Sequence, residues 1–300
     1  MSHELELKLE LSEETVTQFL NLDWFHSHPA CERRSDKVLE NIYFDTPELL
    51  LLNARTALRI RKSGNEYLQT LKTKGTSVGG LHQRGEWEHK IGECSSSDLS
   101  SSPSLQPDLF PQDVWPCDLD VNRLVPVFET NFTRSVWMWT SSKGSRIEVV
   151  LDRGKVVSNG QTTPLTEIEL ELLDGSPDCV FDLAEALSKS IPLLVSDVTK
   201  AQRGFELYHP GVWQVKLLQL TEKSNGSEKL EWVIQQLMFS STQPVSDQLP
   251  KVLEGLVNAG VLKEMDVNPW LLFGDVSTLN PLLKGQWLLR LARYAWLHAQ

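Results

Sequence analysis

From Glu4 to Glu10 polar and apolar side chains alternate strictly, and this period of two predicts a β-strand with two unlike faces. Side chains two positions apart in a strand share a face and lie about 6.5–7 Å apart. One face therefore carries leucines, and the other carries the charged residues Glu4, Glu6, Lys8 and Glu10. The charged face has two interpretations. It is either the solvated side of an amphipathic strand or the wall of a cavity that holds a metal and a polyanion.

The later strand patterns sort their charges in a way that favours the cavity. A solvated sheet would mix lysine and glutamate on each strand, whereas here whole strands are acidic or basic. The strand at 166–172 mirrors the first one, with Glu167, Glu169 and Glu171 on one face. Closing such a sheet into a barrel brings its outer strands together, so the two acidic strands become neighbours. The strands between them carry the basic residues Arg59, Arg61, Lys72, Lys74, Arg84 and Arg134.

The predicted fold class is α+β: an eight-stranded antiparallel β tunnel, that is a closed barrel, with flanking helices and a small all-α C-terminal appendage. Within the strand series, Arg153-Gly154 is predicted to begin a turn after a strand at 146–152. The Ser-, Pro- and Asp-rich stretch 93–126 is predicted to be a surface insertion. From about residue 213 the apolar periodicity becomes helical. This change divides the chain into a tunnel domain at 1–208 and a helical region at 213–300.

The composition narrows the classes of partner. The net charge of −11 lies wholly in residues 1–212, since residues 213–300 contain as many basic as acidic side chains. Nonspecific nucleic-acid binding needs basic side chains that neutralise phosphates, so we expect no nucleic-acid partner. The four scattered cysteines predict neither a disulfide framework nor a zinc site. A charged, strand-like start and the lack of a long apolar run predict a cytoplasmic protein without a membrane partner. We expect a monomer or a homodimer.

The two kinds of charged strand require two kinds of ligand. Carboxylates that converge in a barrel cannot all stay ionised without a cation, because like charges raise one another's pKa. Mg²⁺ or Mn²⁺ suits such a site, since both prefer six oxygen ligands. Arginine forks match phosphate oxygens in a bidentate way, and lysines add point charges. A tunnel with carboxylates and a metal on one side and arginines and lysines on the other is therefore suited to a polyphosphate chain.

The ordered set of motifs resembles that of the CYTH domain, the family of triphosphate tunnel metalloenzymes. Glu4-Leu-Glu-Leu-Lys8 is similar to the family's Glu-x-Glu-x-Lys signature. The resemblance covers about residues 1–208 and is greatest to the bacterial inorganic triphosphatases. The other matching segments are Tyr43-Phe-Asp-Thr-Pro, Leu58-Arg-Ile-Arg61, Leu71-Lys72, Arg84-Gly-Glu86, Arg134, Glu148-x-x-x-Asp152, Glu167-Ile-Glu-Leu-Glu171 and Lys200-Ala-Gln-Arg203-Gly204.

This resemblance implies hydrolysis of tripolyphosphate to pyrophosphate and phosphate inside the tunnel, with Mg²⁺ or Mn²⁺ as cofactor. Glu4, Glu6 and Lys8 are the implied catalytic residues, and the group that takes the proton of the attacking water stays open. The implied metal ligands are Glu4, Glu6, Asp152, Glu167 and Glu169. The implied substrate-binding residues are Lys8, Arg59, Arg61, Lys72, Lys74, Arg84, Arg134, Lys200 and Arg203.

Some of these residues also have simpler interpretations. Lys74, like Glu88, suits the solvated side of a strand. Lys200 and Arg203, three positions apart, suit the C-terminal end of a helix, where basic side chains stabilise the last carbonyls. Glu86, Glu148 and Glu171 are further candidates for the tunnel interior.

Three other functions stay open on the same fold: thiamine triphosphatase, class IV adenylyl cyclase and a non-catalytic polyphosphate-binding module. Thiamine recognition in the family uses a tryptophan just before the Arg-x-Arg strand, but residues 52–56 contain no aromatic residue. No sequence signal for adenine or ribose binding is present. The full acidic set argues against pure binding, which needs the basic wall more than the carboxylates. The C-terminal region, with His298 as its only histidine, is interpreted as a shortened CHAD-like remnant.

Overall fold

The computed structural model describes residues 2–93, 103–116, 119–212, 224, 226–238, 246–259 and 280–298. Eight antiparallel strands form its centre: β1 (Ser2–Glu10), β3 (Lys37–Asp45), β4 (Ala57–Ser63), β5 (Glu66–Lys72), β7 (Leu81–Glu93), β8 (Val125–Thr140), β9 (Arg146–Ser158) and β10 (Gln161–Asp174). They follow one another in the order β1-β10-β9-β8-β3-β4-β5-β7. Because β7 also pairs with β1, the sheet closes into the predicted barrel.

Short strands and helices surround this barrel. The strands β2 (Cys31–Arg33), β6 (Thr76–Val78) and β11 (Leu194–Val195) pair with β8, β7 and β1 respectively. The helices are α1 (Glu13–Leu20), α2 (Asp23–His26), α3 (Leu50–Asn53), α4 (Asp178–Ser188), α5 (Lys200–Tyr208), α6 (Gly226–Met238), α7 (Leu249–Asn258) and α8 (Pro281–His298). No helix in the described part of the chain is long and apolar enough to cross a membrane.

The leucine face of β1 points out of the barrel and builds the main hydrophobic core. Leu7 and Leu9 are fully buried, and they belong to one cluster with Phe181 of α4 and with Leu288 and Trp296 of α8. The C-terminal helices and the outside of the tunnel therefore share one apolar core. The division of the chain at residues 208 and 213 stays a prediction.

An ion-pair clamp also fastens the last helix to the barrel. Arg293 of α8 lies 3.2 Å from Asp178, 2.8 Å from Asp182 and 3.2 Å from Glu185, which are one helical turn apart along α4. These pairs are only partly buried, so each contributes little by itself. Together they fix the orientation of α8 across α4.

The predicted turn at Arg153-Gly154 is wrong, because β9 continues through both residues to Ser158. The strand needs the glycine for a close approach: a Cβ on Gly154 would lie 2.5 Å from the Cα of Phe132 on the neighbouring strand. The chain turns later, at Asn159-Gly160, where both residues have positive φ angles.

The described part of the 93–126 stretch lies on the barrel rather than beside it. Short 3₁₀ turns form at Pro107–Leu109, Gln112–Val114 and Val121–Arg123. Phe110, which is 2 % exposed, packs in a small cluster with Leu58 and Leu71 on the outer face of the barrel. The insertion therefore covers apolar surface that the barrel would otherwise expose to water.

The helix that contains Lys200 and Arg203 begins where the alternative interpretation placed a helix end. Thr199 is the N-cap of α5, and its side chain forms a capping box with Gln202. Lys200 is consequently the first residue of the helix, and its position is not explained by stabilisation of C-terminal carbonyls. Its 7 % exposure indicates that it has another set of partners.

Candidate active site

A charged cavity of about 290 Å³ lies inside the barrel. Because alternate residues of each strand point inward, the charged faces found in the sequence all meet there. The lining residues are Glu4, Glu6, Lys8, Tyr43, Ala57, Arg59, Arg61, Lys72, Arg84, Glu86, Glu88, Arg134, Glu169, Glu171, Thr199, Lys200 and Ala201.

The two acidic strands are neighbours, as expected from closing the sheet. The register of β1 and β10 places Lys8 opposite Glu169, and Glu6 opposite Glu171. Lys8 is 2 % exposed; its ammonium lies 3.0 Å from Glu6 and also contacts Glu169. Burial by itself would lower the pKa of Lys8, but the charges of Glu169 and Glu6 raise it above its ordinary value. Lys8 is therefore a cation in the ligand-free tunnel.

Three buried carboxylates, Asp152, Glu167 and Glu169, form what we call the carboxylate cluster. Their oxygens lie within 4.8 Å of one another, and none of the three residues is more than 6 % exposed. Strand register explains two of the positions, because Glu167 of β10 pairs directly with Asp152 of β9. The ammonium of Lys200 lies between them, 2.7 Å from Asp152 and 2.9 Å from Glu169, and it also contacts Glu167.

Arg134 of β8 is the second cation on this cluster. Its Nε and Nη2 donate to the two oxygens of Asp152 at 2.8 and 2.7 Å, and Nη2 also donates to Glu169 at 2.8 Å. Burial alone would raise the pKa values of both carboxyls. The charges of Arg134 and Lys200 outweigh this effect on Asp152, and those of Lys200 and Lys8 do so on Glu169, so both pKa values lie below the ordinary range.

A second group of ion pairs joins β1 to β5 and β7. Lys72 contacts Glu4 at 2.8 Å, and Arg84 contacts Glu4 at 3.0 Å and Glu6 at 2.8 Å. The pairing of Glu4 with Arg84 across β1 and β7 aims these side chains at each other. Although burial raises the pKa of Glu4, Lys72 and Arg84 hold it well below its usual value.

The opposite side of the cavity carries the arginine pair, Arg59 and Arg61 of β4. Arg59 donates weakly to the Tyr43 hydroxyl at 3.5 Å and lies 3.8 Å from Glu86. Arg61 donates to the Oδ1 of Asn41 at 2.7 Å, and no carboxylate of the described residues pairs with it. Burial, followed by the charges of Arg59 and Arg134, lowers the pKa of Arg61 to about 9. A buried guanidinium in this state favours the arrival of an anion.

Glu171 is the counterpart of Arg61 on the acidic side. It lines the cavity beside Glu4 and Glu6, and no lysine or arginine of the described residues forms an ion pair with it. Burial and then the charges of Glu4 and Glu6 raise the pKa of Glu171 to about 8. A cation bound nearby would relieve this repulsion.

Four residues of the family-implied set are absent from the cavity lining. Asp152 and Glu167 adjoin the cavity through their contacts with Lys200, whereas Lys74 and Arg203 lie away from it. Lys74 follows the end of β5 and is exposed to solvent. Arg203 lies one helical turn beyond Lys200 on α5, and its Nη2 is 3.6 Å from Glu10 at the end of β1. Glu148 is likewise absent from the lining. We therefore leave Lys74, Arg203 and Glu148 out of the proposed site.

The cavity also contains residues to which sequence reasoning gave no role. Tyr43 and Asn41 lie on one face of β3 and contact the arginine pair. Their spacing of two, with Tyr43 inside a matching motif, was the available signal. Glu88 borders the cavity and accepts a hydrogen bond from Thr70 at 3.0 Å, and it is exposed to solvent, which agrees with its interpretation as a solvated residue.

The carboxylate cluster fits a hard divalent cation. It offers only anionic oxygens, the donor type that Mg²⁺ and Mn²⁺ prefer. Its present cations, Lys200 and Arg134, are positive groups in the place where a metal would supply charge. Glu4 and Glu6 lie across Lys8 from the cluster and can extend the donor set.

A closed tunnel with carboxylates on one side and arginines on the other defines a class of polyanion-binding barrels. Residues 2–205 match the model of the CYTH domain family, and the chain belongs to that family. Over 207 residues it is 32 % identical to the inorganic triphosphatase of Haemophilus influenzae. This match covers 69 % of the chain but 55 % of the relative, so the chain spans about half the length of the curated relative it matches.

Solved structures include similar folds of low sequence identity. HpAC1 from Hippeastrum, an adenylyl cyclase candidate with a dominant triphosphatase activity, is 22 % identical with a TM-score of 0.46. The match covers 67 % of this chain and 95 % of HpAC1. The inorganic triphosphatase NE1496 is 21 % identical with a TM-score of 0.28, and the match covers 70 % of this chain and 99 % of that protein.

Proposed function

We propose that the chain is a divalent-metal-dependent triphosphatase that hydrolyses inorganic tripolyphosphate to pyrophosphate and phosphate inside the tunnel. One observation carries the proposal: Arg61, which pairs with no carboxylate of the described residues, and Glu171, which pairs with no lysine or arginine of the described residues, line the same cavity as Glu169 of the carboxylate cluster. Such a site needs a cation and an anion at once, and a metal triphosphate supplies both. The relationship to an inorganic triphosphatase supports the same chemistry.

The proposed roles follow from position and charge. Phosphoryl transfer depends mainly on positioning and on neutralisation of phosphate charge. Arg59 and Arg61 would bind phosphate oxygens on one side, and Lys72, Arg84 and Arg134 would bind them from the remaining walls. Lys8, held as a cation between Glu6 and Glu169, would orient the reacting phosphate by donating hydrogen bonds.

The metal would be Mg²⁺ or Mn²⁺, held by Asp152, Glu167 and Glu169 with help from Glu4 and Glu6. When bound, it would supply neutralisation of the phosphate oxygens and activation of water. The protonated state of Lys8 in the ligand-free tunnel makes a carboxylate the better acceptor for the proton of the attacking water. We leave that carboxylate unassigned.

The lining of the cavity favours an inorganic substrate over a nucleotide or thiamine triphosphate. Apart from Tyr43, Thr199 and two alanines, every lining side chain is charged. The Tyr43 ring is 5 % exposed and already stacks on Phe128, with ring centroids 4.5 Å apart. No free aromatic face of the described lining remains for a base or a thiazolium ring.

We also propose a cytoplasmic enzyme without a nucleic-acid or membrane partner. The net charge of −11 supports the absence of nonspecific nucleic-acid binding. Size-exclusion chromatography with light scattering would distinguish the proposed monomer from the proposed homodimer.

The decisive assay compares three substrates with and without Mg²⁺ or Mn²⁺: tripolyphosphate, thiamine triphosphate and ATP. We expect metal-dependent phosphate release from tripolyphosphate, and a loss of at least about a hundredfold in the Glu4→Gln/Glu6→Gln variant. Cyclic AMP and pyrophosphate from ATP would instead establish a cyclase. Tight tripolyphosphate binding without turnover would contradict the enzyme proposal and leave a binding module.

A further inference from the structure

The carboxylates that are proposed to hold metal are already neutralised by cations inside the tunnel, whereas Arg61 and Glu171 are not. Each carboxylate proposed to hold metal is paired with a cation proposed to hold phosphate: Glu4 with Lys72 and Arg84, Glu6 with Arg84 and Lys8, Asp152 with Arg134 and Lys200, Glu167 with Lys200, and Glu169 with Lys8, Arg134 and Lys200. The carboxylates that would bind the metal and the cations that would bind the phosphate are thus bound to each other. Neither ligand can take its place without breaking pairs that belong to the other.

Lys200 is the cation that competes most directly with a metal for the carboxylate cluster. Its ammonium contacts all three members of the carboxylate cluster, and the side chain is 8 % exposed. Mg²⁺ binds carboxylate oxygens at about 2.0–2.1 Å. Because the Lys200 ammonium contacts one oxygen of each of the three carboxylates, a metal held by the same oxygens would have to take its place.

We propose that Lys200 is a positioning residue that occupies the cation position of the carboxylate cluster in the empty tunnel and exchanges with the divalent metal. The released ammonium, which lines the cavity, then becomes available to the triphosphate. Metal and triphosphate binding are therefore positively coupled through this one side chain. The inference rests on the proposed function for the identity of the anion.

The sign of the coupling follows from the cost of unpaired buried charge. Metal alone displaces Lys200 and leaves an ammonium in the tunnel without a partner. Triphosphate alone withdraws Lys200, which leaves Glu167 without the one cation that pairs with it among the described residues and removes one of the cations on Asp152 and Glu169. Each situation is unfavourable, because a buried charge that loses its partner is strongly destabilising. When both ligands are present, each one compensates the charge that the other has uncovered.

Coupling between two sites is reciprocal, so each ligand should raise the affinity of the other by the same factor. Direct contact between a metal and a phosphate also produces coupling. The contribution of Lys200 must therefore be isolated by measuring metal binding in the absence of any phosphate.

The first experiment titrates Mn²⁺ into the metal-free protein and detects free Mn²⁺ by electron paramagnetic resonance, with no phosphate present. Lys200→Met removes the competing ammonium and keeps the length of the side chain. We expect Mn²⁺ to bind this variant about tenfold more tightly than the wild type, within the usual range of coupling factors. Lys155→Met, an exposed β9 residue with the same charge change, should keep wild-type affinity. Unchanged or weaker binding to Lys200→Met would overturn the proposal.

The second experiment uses the wild-type protein, in case Lys200→Met does not fold. Reductive methylation followed by mass spectrometry reports how fast the Lys200 amine reacts, with exposed Lys155 as the internal reference. We expect Mn²⁺ alone to increase the labelling of Lys200 several-fold, because the amine leaves the three carboxylates. Labelling that Mn²⁺ leaves unchanged or decreases would show that Lys200 stays in the cluster, and would contradict the exchange.

The two proposals fail in distinguishable ways. Neither experiment uses tripolyphosphate or turnover, so a chain that hydrolyses no triphosphate would refute the proposed function and still give a clear result for Lys200. Conversely, a metal-dependent triphosphatase whose Mn²⁺ affinity does not change in Lys200→Met would keep its proposed function and lose the exchange mechanism.

Discussion

In the carboxylate cluster every buried charge has an opposite charge beside it, whereas on β4 the guanidinium of Arg61 has, within the described part of the chain, the amide of Asn41 as its hydrogen-bond partner and no carboxylate. Glu169 of the cluster and Arg61 line one cavity, and the carboxylates are almost wholly removed from water, whereas Arg61 is partly buried. Buried charges are normally paired. Arg61 therefore marks the place where an anionic ligand brings the missing charge. At the carboxylate cluster, a cationic ligand must compete with the lysine and arginine that are already bound.

Glu169→Gln tests the paired region and should have the largest effect. Glu169 contacts Lys8, Lys200 and Arg134, so its loss leaves three cations short of one negative charge. We expect phosphate release to fall at least about a thousandfold and the free energy of unfolding to fall by about 3 kcal/mol. Steady-state assays and urea unfolding measure the two quantities.

Glu66→Gln is the matched control for this variant. Glu66 is an exposed partner of Lys90 at 2.7 Å, and such surface pairs contribute about 0–1 kcal/mol. It should leave activity at the wild-type level. Activity of Glu169→Gln within tenfold of the wild type would show that the carboxylate cluster is structural and not catalytic.

Arg61→Met and Arg134→Met compare the two regions directly. Removing Arg61 should weaken tripolyphosphate binding about a hundredfold, since a charge-assisted bond to phosphate is lost. The same change should stabilise the folded protein by about 1 kcal/mol, because it removes a buried cation without a counter-charge. Arg134→Met should destabilise the protein by about 3 kcal/mol, because the buried Asp152 carboxylate loses the two hydrogen bonds that the Arg134 guanidinium donates to it.

Calorimetric binding and chemical unfolding test this contrast. If both arginine variants lose a similar free energy of unfolding, the distinction between the paired and the unpaired region is wrong. A stabilised Arg61→Met that still binds tripolyphosphate normally would remove Arg61 from the proposed anion site.

Glu171 adds a pH dependence to the acidic side. Its pKa in the folded protein, about 8, lies above the ordinary value of 4.5, so the folded state holds the proton more tightly than the unfolded state. Stability from this group is present at low pH and is lost as the pH rises from about 4.5 through about 8.

Glu171→Gln isolates that contribution from other titrating groups. The difference in unfolding free energy between the variant and the wild type, measured without metal, should grow in favour of the variant between pH 5 and about 8.5. A constant difference over this range would show that Glu4 and Glu6 do not repel the Glu171 carboxylate in the folded protein.

The barrel and its charged faces could be predicted from the sequence because both depend on a local rule. A period of two fixes which side chains share a face, and a slip of one residue would expose every buried leucine of β1. Closure then made β1 and β10 neighbours and brought Lys8 opposite Glu169. The glycine in β9 misled the prediction because the strand that it approaches lies elsewhere in the sequence.

The pairing inside the cavity could not be predicted in this way. Lys200 comes from the first turn of a helix, and the three carboxylates that it contacts come from two strands. Their meeting depends on the register of β9 and β10 and on the reach of a flexible side chain. The sequence therefore predicted an acidic side and a basic side of the tunnel as separate surfaces, whereas in the structure their side chains form ion pairs with each other.

Lys74→Met is the smallest predicted effect and tests the structure against the family resemblance. The resemblance implies a substrate-binding role, but the side chain is exposed beyond the end of β5. An exposed charge outside the cavity is screened by water and salt. We therefore expect kcat/KM for tripolyphosphate to change less than about twofold and stability to stay within about 0.5 kcal/mol. A tenfold increase in KM at unchanged kcat would place Lys74 on the path of the substrate and extend the arginine side of the site beyond the present cavity.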